Sequence, residues 1–371
     1  MTENTHPEPA AIPENAERTE PAAIPENAER TETRSLRERL GPPGTVAEPR
    51  HPDVEVWRPA TVDDIDAMMD LAGAADRVDH PTWLTPRDEF EELFELSHID
   101  PARDTRLGFH TDGSLVAMAG ILAHPSQDEH VYAYCTGRVH PQWRRRGIGR
   151  EVVRWEYQTA QTAIAETDAA ATELPGAIYL YAHEPDVGAR ALGEQLGMVE
   201  ERWFTTMLRD LSQPIPDVEI DLPIVPFTLE LSESTRLARN DAFRDHWGSL
   251  ETPAERWERM VTGTHFRVDL SRVVLDGDRV VAFALASVNE DDWEVQGYSS
   301  AYIEYIGVTR DHRGRRLAPA VMTASLRAIR DAGLDKANLD VDTESPTGAT
   351  SLYTNLGFEA TDREVAMVAR F

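Results

Sequence analysis

The chain has 371 residues, 37 Lys+Arg against 66 Asp+Glu and one cysteine, giving a formal net charge of -29. A field of that sign repels phosphate, which weighs against nonspecific binding to nucleic acid or anionic lipid, and the lone Cys135 excludes an intrachain disulfide or a multi-thiolate metal site. The length suits two domains with cores of their own, the longest apolar runs, such as Leu115 to Ala123, fall far short of the ~20 residues of a membrane span, and the acidic start, Met1 to Pro9, carries no export pattern, so a cytoplasmic protein is expected.

Residues 8–19 read EPAAIPENAERT and residues 20–31 repeat them unchanged. A stretch so poor in large apolar side chains cannot offset its ordering entropy, so residues 1 to about 50 are expected to form a disordered acidic tail. The first folded segment spans residues 54–210. Thr85-Pro86 with Asp88 has the hydroxyl cap, first-position proline and acid of a helix start. Asp112-Gly113 marks a hairpin turn before the apolar run Leu115 to Ile121. A strand-like run then meets Arg144-Arg145-Arg146-Gly147-Ile148-Gly149, after which Ile148, Val152 and Trp155 recur at helical spacing. Leu196-Gly197-Met198 follows, and Pro214, Pro216, Pro223 and Pro226 punctuate residues 211–226, which read as a linker.

The segment beyond it, residues 227–371, repeats the punctuation in the same order. Its markers are Thr252-Pro253 with Glu255, Asp276-Gly277 before Val280 to Ala286, Arg313-Gly314-Arg315-Arg316-Leu317-Ala318 opening a helical pattern with Val321 and Ala324, and Leu356-Gly357-Phe358. They lie 167, 164, 169 and 160 residues after their first-half counterparts, and an insertion at Glu166 to Pro175 accounts for the final drop. Four markers in order indicate an internal duplication.

Strand, arginine-glycine turn and helix start together aim several backbone N–H groups and the positive end of a helix dipole at one point, and glycine lets the backbone approach a pyrophosphate. A single such turn also reads as an arginine-rich surface loop; its recurrence in both halves favours an anionic ligand. The charge is segregated accordingly, with Arg144, Arg145, Arg146 and Arg150 in one turn and Arg310, Arg313, Arg315 and Arg316 in the other. The overall acidity would attract a cationic acceptor or serve solubility.

Val139-His140-Pro141 through Gly149 resembles the V-x-P-x-x-R-x-x-G-x-G motif of GCN5-related N-acetyltransferases, whose loop binds the pyrophosphate of acetyl-coenzyme A. Val308 through Ala318 is similar but degraded, and Ser351 to Phe358 resembles the family's closing L-Y-x-x-x-G-F motif. Two such units in one chain resemble tandem acetyltransferases of the mycothiol synthase type, over about residues 54–371. The resemblance implies an α/β (α+β) fold of two tandem domains, each a mixed, mostly antiparallel sheet flanked by helices. It also implies acetyl-CoA as acyl donor, a small-molecule amine as acceptor, and coenzyme contacts from Val139 and the two arginine-glycine turns, with Gly307 and Val308 beside the second.

Acyl transfer from a thioester to an amine needs a proton acceptor, donors for the oxyanion and an acid near the departing thiolate. Glu304 lies among the apolar and aromatic residues of Ala301 to Val308, where a carboxylate is costly unless paired or useful; it reads as a functional group or as an edge residue facing solvent. Register places Cys135 opposite Glu304 and Gly193 opposite Tyr353. The resemblance implies Glu304 as general base, directly or through water, the N–H groups at Gly307 and Val308 as oxyanion donors, and Tyr353 as the acid at sulfur. Tyr353 also reads as a core aromatic beside Phe358. The second half is therefore expected to carry the chemistry, and the first to bind coenzyme structurally or to be vestigial. Two departures stand out: Arg316 occupies a family glycine position, and Pro346 a position where many relatives have asparagine.

Asp245-His246-Trp247-Gly248 lies where this family builds its acceptor-pocket wall. It reads as an amine-binding group, with His246 titrating near neutrality, or as a Gly-terminated turn with Trp247 packed inward; Asp79-His80-Pro81-Thr82-Trp83 stands at the comparable place in the first half. A different class of function stays open, a non-catalytic acyl-CoA binder that regulates another protein, although no protein partner is identifiable.

Overall fold

The computed structural model describes residues 34–41, 44–80, 82–124, 129–344 and 348–371, so the tail repeat and Pro346 lie outside the described residues. The first half runs α1 (Leu36–Leu40), β1 (Val56–Arg58), α2 (Ile65–Asp79), α3 (Arg87–Glu95), α4 (Pro101–Asp104), β2 (Thr105–Phe109), β3 (Leu115–Ala123), β4 (Val131–Cys135), β5 (Arg138–Val139), α5 (Ile148–Glu166), β6 (Gly176–His183), α6 (Val187–Gln195) and β7 (Val199–Asp210). The second runs β8 (Ile224–Pro226), α7 (Ser232–Phe243), α8 (Ala254–Thr262), β9 (Arg272–Asp276), β10 (Arg279–Ser287), α9 (Asp291–Gln296), β11 (Ser300–Val308), α10 (Leu317–Asp331), β12 (Lys336–Asp342), α11 (Ala349–Asn355) and β13 (Phe358–Arg370). Residues 211–223 carry no helix or strand.

One sheet joins both halves in the order β1-β2-β3-β4-β6-β13-β7-β12-β11-β10-β9-β8, with β5 on β3. Only β4 with β6 and β11 with β12 pair in parallel. The expectation of two contiguous domains is corrected at their last strands. β7 pairs with β12 from Lys336↔Asp210 to Asp342↔Phe204, whereas β13 pairs with β6 from Glu364↔His183 to Arg370↔Ala177. Each half thus closes with the other's final strand, and β7 and β13 pair with each other at the centre. The exchange leaves neither half with an open interior edge.

The tail is corrected too. Ser35 and Glu38 form a reciprocal capping box on α1, Leu36 is fully buried, and Arg39 donates to the carbonyls of Phe371 at 2.8 Å and Glu173 at 3.1 Å. Leu36 and Leu40 supply the apolar anchor that the averaged composition of residues 1–50 conceals. The helix starts also shift by one residue, with Pro86 and Pro253 rather than the threonines at the cap positions. The hydroxyl of Thr85 instead donates to Asp76 at 2.8 Å, and the Thr252 N–H donates to Asn240 at 2.9 Å.

Hydrophobic periodicity sorts the two faces of the sheet. Leu339 and Val341 of β12 pack with α10 and α11 on one face, and their neighbours Asp340 and Asp342 alternate to the other. On that second face α7 and α8 contribute Ala238, Ala242, Trp257 and Val261 to a cluster with Phe283 and Leu285.

Candidate active site

Both arginine-glycine turns have the same backbone shape built from different residues. In the first, Arg145 (φ 64°) and Gly147 (φ 103°) are left-handed; in the second, Gly314 (φ 79°) and Arg316 (φ 60°) are. A side chain in this region costs roughly 1–2 kcal/mol, so each turn carries one strained arginine and one relaxed glycine. Gly147, Ile148 and Gly149 open α5, where N–H groups have no carbonyl within the helix to bond. A Cβ at Gly149 would make only ordinary contacts, with Leu192 at 3.4 Å and Val139 at 3.8 Å, and Ala318 fills the matching position.

The arginines divide by engagement. Arg144 spends its guanidinium on both oxygens of Asp79, each at 2.6 Å, and on the Val139 carbonyl at 3.0 Å. Arg146 stacks on Trp143 at 4.7 Å and lies 3.7 Å from Asp53. Among the described residues Arg145 and Arg150 pair with no carboxylate. In the second turn Arg310 and Arg313 both bind Asp245, Arg315 binds Asp221 at 3.2 Å, and only Arg316 has no partner among the described residues. Among the described residues more unengaged positive charge lies at the first turn than at the second.

Glu304 occupies a β-bulge. β10 and β11 pair Leu285↔Tyr305 and then Ala286↔Ile303, so Glu304 is the extra residue, a position that bends the strand and re-aims a side chain. The first-half counterpart β3 pairs without a shift through Ile121↔Cys135 and Ala117↔Val139. The pairing therefore puts Cys135 opposite Ile303, which corrects the sequence alignment: Glu304 has no first-half equivalent. At the gap after Cys135 the buried carboxyl of Glu156 accepts from the Gly120 N–H at 2.9 Å, while the Thr136 N–H donates to the Gly120 carbonyl at 2.9 Å. Glu304 itself accepts from the Ser287 hydroxyl at 2.5 Å. Burial pushes its carboxyl above the ordinary range, Ser287 opposes the shift, and Asp88 and Asp340 add to it. Gly307 is required downstream, since a Cβ there would meet Phe283 at 2.5 Å and Ala242 at 3.0 Å.

Tyr353 of α11 packs edge-on to Phe358 at 5.8 Å within the cluster holding Leu339 and Val341. Burial lifts its phenol above the usual range, so it stays protonated. Glu304, beside Ser287, and Tyr353 thus lie on opposite faces of the sheet. Parallel pairing of β11 with β12 covers only Ser300 to Tyr302, and the strands part beside Glu304. An amine reaching Glu304 and a thioester sulfur near Tyr353 would meet through that opening.

Sequence reasoning missed the surroundings of Glu304. Asp340 accepts from the hydroxyls of Tyr302 at 3.0 Å and Thr206 at 2.5 Å, while His265 faces Asp88 of α3 at 3.6 Å. Ser287 carried one usable signal, a hydroxyl ending the apolar run of β10; the others depend on strand exchange and on packing between the halves. Trp247 donates to Glu201 at 3.0 Å and meets Tyr179 and Phe204, the inward-packed alternative. His246 stacks on Phe243 at 4.5 Å, and burial lowers its pKa, so it stays neutral at neutral pH.

The pattern of the acetyltransferase (GNAT) family matches residues 66–198 and 233–358, one stretch in each half. The chain belongs to this family. Mycothiol acetyltransferases from Salinispora tropica and Thermobispora bispora are 28% and 27% identical to it, covering 80% of this chain in both cases and 89% and 93% of their own lengths. A GCN5-related N-acetyltransferase from Sphaerobacter thermophilus superposes with a TM-score of 0.63 at 23% identity, over 85% of this chain and 95% of its own. A tandem GNAT protein from the clavulanic acid biosynthesis pathway gives 0.58 at 16%, over 85% and 98%. The chain is thus an N-acetyltransferase whose acyl donor is acetyl-CoA. No helix among the described residues is long and apolar enough to cross a membrane.

Proposed function

We propose that the second half acetylates a small amine and that the first half holds coenzyme without turning it over. The observation that carries this reading is the bulge at Glu304, which the first half lacks. The thioester supplies an activated acetyl group. Glu304, its carboxyl raised above the ordinary range by burial, takes the proton from the attacking ammonium in its ionised form, directly or through water. The N–H groups at Gly307 and Val308 take the oxyanion. As the carbon–sulfur bond breaks, Tyr353 gives its proton to the thiolate. The acid-lined face around Asp340 suits a cationic amine.

Release of free thiol from acetyl-CoA, measured across an amine panel that includes a cysteinyl amino-sugar of the kind the relatives' name indicates, tests the reading. Amine-dependent release with a matching acetylated product supports it. Coenzyme binding without release under any amine overturns it in favour of a regulatory acyl-CoA binder.

A further inference from the structure

The same ionic brace occurs at both phosphate turns. In the first half Arg144 follows a 3-10 turn, Pro141–Trp143, and grips Asp79, the last residue of α2, with both terminal nitrogens at 2.6 Å. In the second, Arg313 follows the 3-10 turn Arg310–His312 and donates to Asp245, two residues past α7, at 3.0 Å. Each arginine also bonds a backbone carbonyl at 3.0 Å, of Val139 or of Ala242. The second brace is reinforced: Arg310 adds its guanidinium to Asp245 and its N–H to Asp241 at 2.8 Å.

Several consequences follow from the geometry. Arg144 commits Nε and both terminal nitrogens to Val139 and Asp79. Asp245 has both oxygens engaged and is a poor amine ligand. The residue after each braced arginine, Arg145 or Gly314, adopts the left-handed conformation that turns the backbone toward the helix start. The Arg144–Asp79 pair is bidentate, which fixes geometry as well as charge; Arg313 is held instead by one bond to Asp245 and one to the Ala242 carbonyl, and in both halves the arginine so held is the first residue of the turn that presents the N–H groups.

We propose that Asp79 and Asp245 are positioning residues of the two coenzyme sites, holding the phosphate turns in shape through Arg144 and Arg313. This rests on the coenzyme-binding reading of those turns and moves Asp245 from the acceptor wall to the coenzyme side.

Calorimetric titration of the full chain with coenzyme A tests it. Asp245→Asn should weaken one class of site by roughly tenfold or more, the scale on which small misplacements act, and Asp79→Asn should weaken the other. Asp245 is exposed, so its variant should keep the melting temperature. Asp245→Glu, which retains a carboxylate for both arginines, should recover most of the affinity, a rescue that general destabilisation would not give. In turnover the Asp245→Asn loss should fall on KM for acetyl-CoA rather than on kcat. Unchanged affinity in both variants overturns the proposal. Tighter binding also overturns it, because the arginines would then be phosphate ligands that the carboxylates compete for. If the wild-type chain takes up no coenzyme A, the coenzyme reading itself falls; if it binds and the variants bind equally, only the brace does.

Discussion

The two halves share a frame and differ, where β11 leaves β10, in one inserted residue. β4 runs beside β3 without a break in register and stops at Cys135, where the carboxyl of Glu156 accepts from the Gly120 N–H. β11 runs beside β10, gains Glu304 as a bulge and continues to Gly307 and Val308. The phosphate turns keep one shape while exchanging residues, arginine then glycine in one half and glycine then arginine in the other. Backbone shape thus survives exchange of side chains within a turn, whereas the proposed chemistry depends on an extra residue that no substitution in the first half supplies. The anchoring of α11 to Phe358 and of α6 to Met198 is a matter of packing, common to both.

The comparison breaks first at Glu304 and Tyr353. Glu304→Gln and Tyr353→Phe should each lower turnover by roughly 10²–10⁴, with coenzyme affinity close to wild type because neither touches a phosphate turn. Raising the pH should partly restore Glu304→Gln, since more of the acceptor amine is then already deprotonated, and should not restore Tyr353→Phe. Rate measurements across pH check both. Near-normal turnover in the two folded variants would return the chemistry to the first half.

A smaller effect separates the turns. Gly147→Glu places a carboxylate at the start of α5 on a left-handed backbone and should abolish one of two calorimetric coenzyme sites while lowering turnover only moderately. Arg316→Gly relieves a strained arginine but removes the one guanidinium of the second turn with no carboxylate partner; it should weaken the other site by about tenfold, the worth of a charge-assisted hydrogen bond. If Arg316→Gly instead tightens binding, its side chain obstructs the phosphate.

Much of this was legible in the sequence because duplication and turn chemistry are local. Asp112-Gly113 and Asp276-Gly277 turn hairpins, and both arginine-glycine segments open helices. Strand exchange was not legible: β7 and β13 read as the last strand of their own half, and the choice of partner is made by edges far away in the chain. The tail boundary slipped because Leu36 and Leu40 are two apolar residues in a polar stretch, enough to dock one helical turn. The Glu304 alignment slipped by one because an insertion inside a strand leaves the alternation of apolar residues almost unchanged, while the pairing with β10 exposes it. Asp245 looked like a ligand for want of knowing which arginines reach it.

The last contrast is a pH dependence at Glu156 of the first half, whose counterpart position in the second half holds no titrating group. Glu156 is 1% exposed, and burial pushes its carboxyl up to about 8, against the N–H groups of Gly120, Gly137 and Thr136. Its second-half counterpart, Ser325, donates to the Leu270 carbonyl at 2.9 Å and does not titrate in this range. Between the ordinary carboxyl value near 4.5 and about 8 the folded chain keeps a proton at Glu156 that the unfolded chain gives up. This contribution to stability is therefore fully present below about 4.5 and is lost as the pH rises through the window. The change amounts to roughly 5 kcal/mol at the most, at ~1.4 kcal/mol for each unit of displacement. Glu156→Gln keeps an oxygen for the N–H groups and removes the titration, so the variant should lose less stability than the wild type between pH 5 and about 8. Denaturant unfolding of both proteins at several pH values measures the difference. Parallel curves would mean that Glu156 is ionised throughout, and that the strand gap in the first half is held by a charge rather than by a protonated acid.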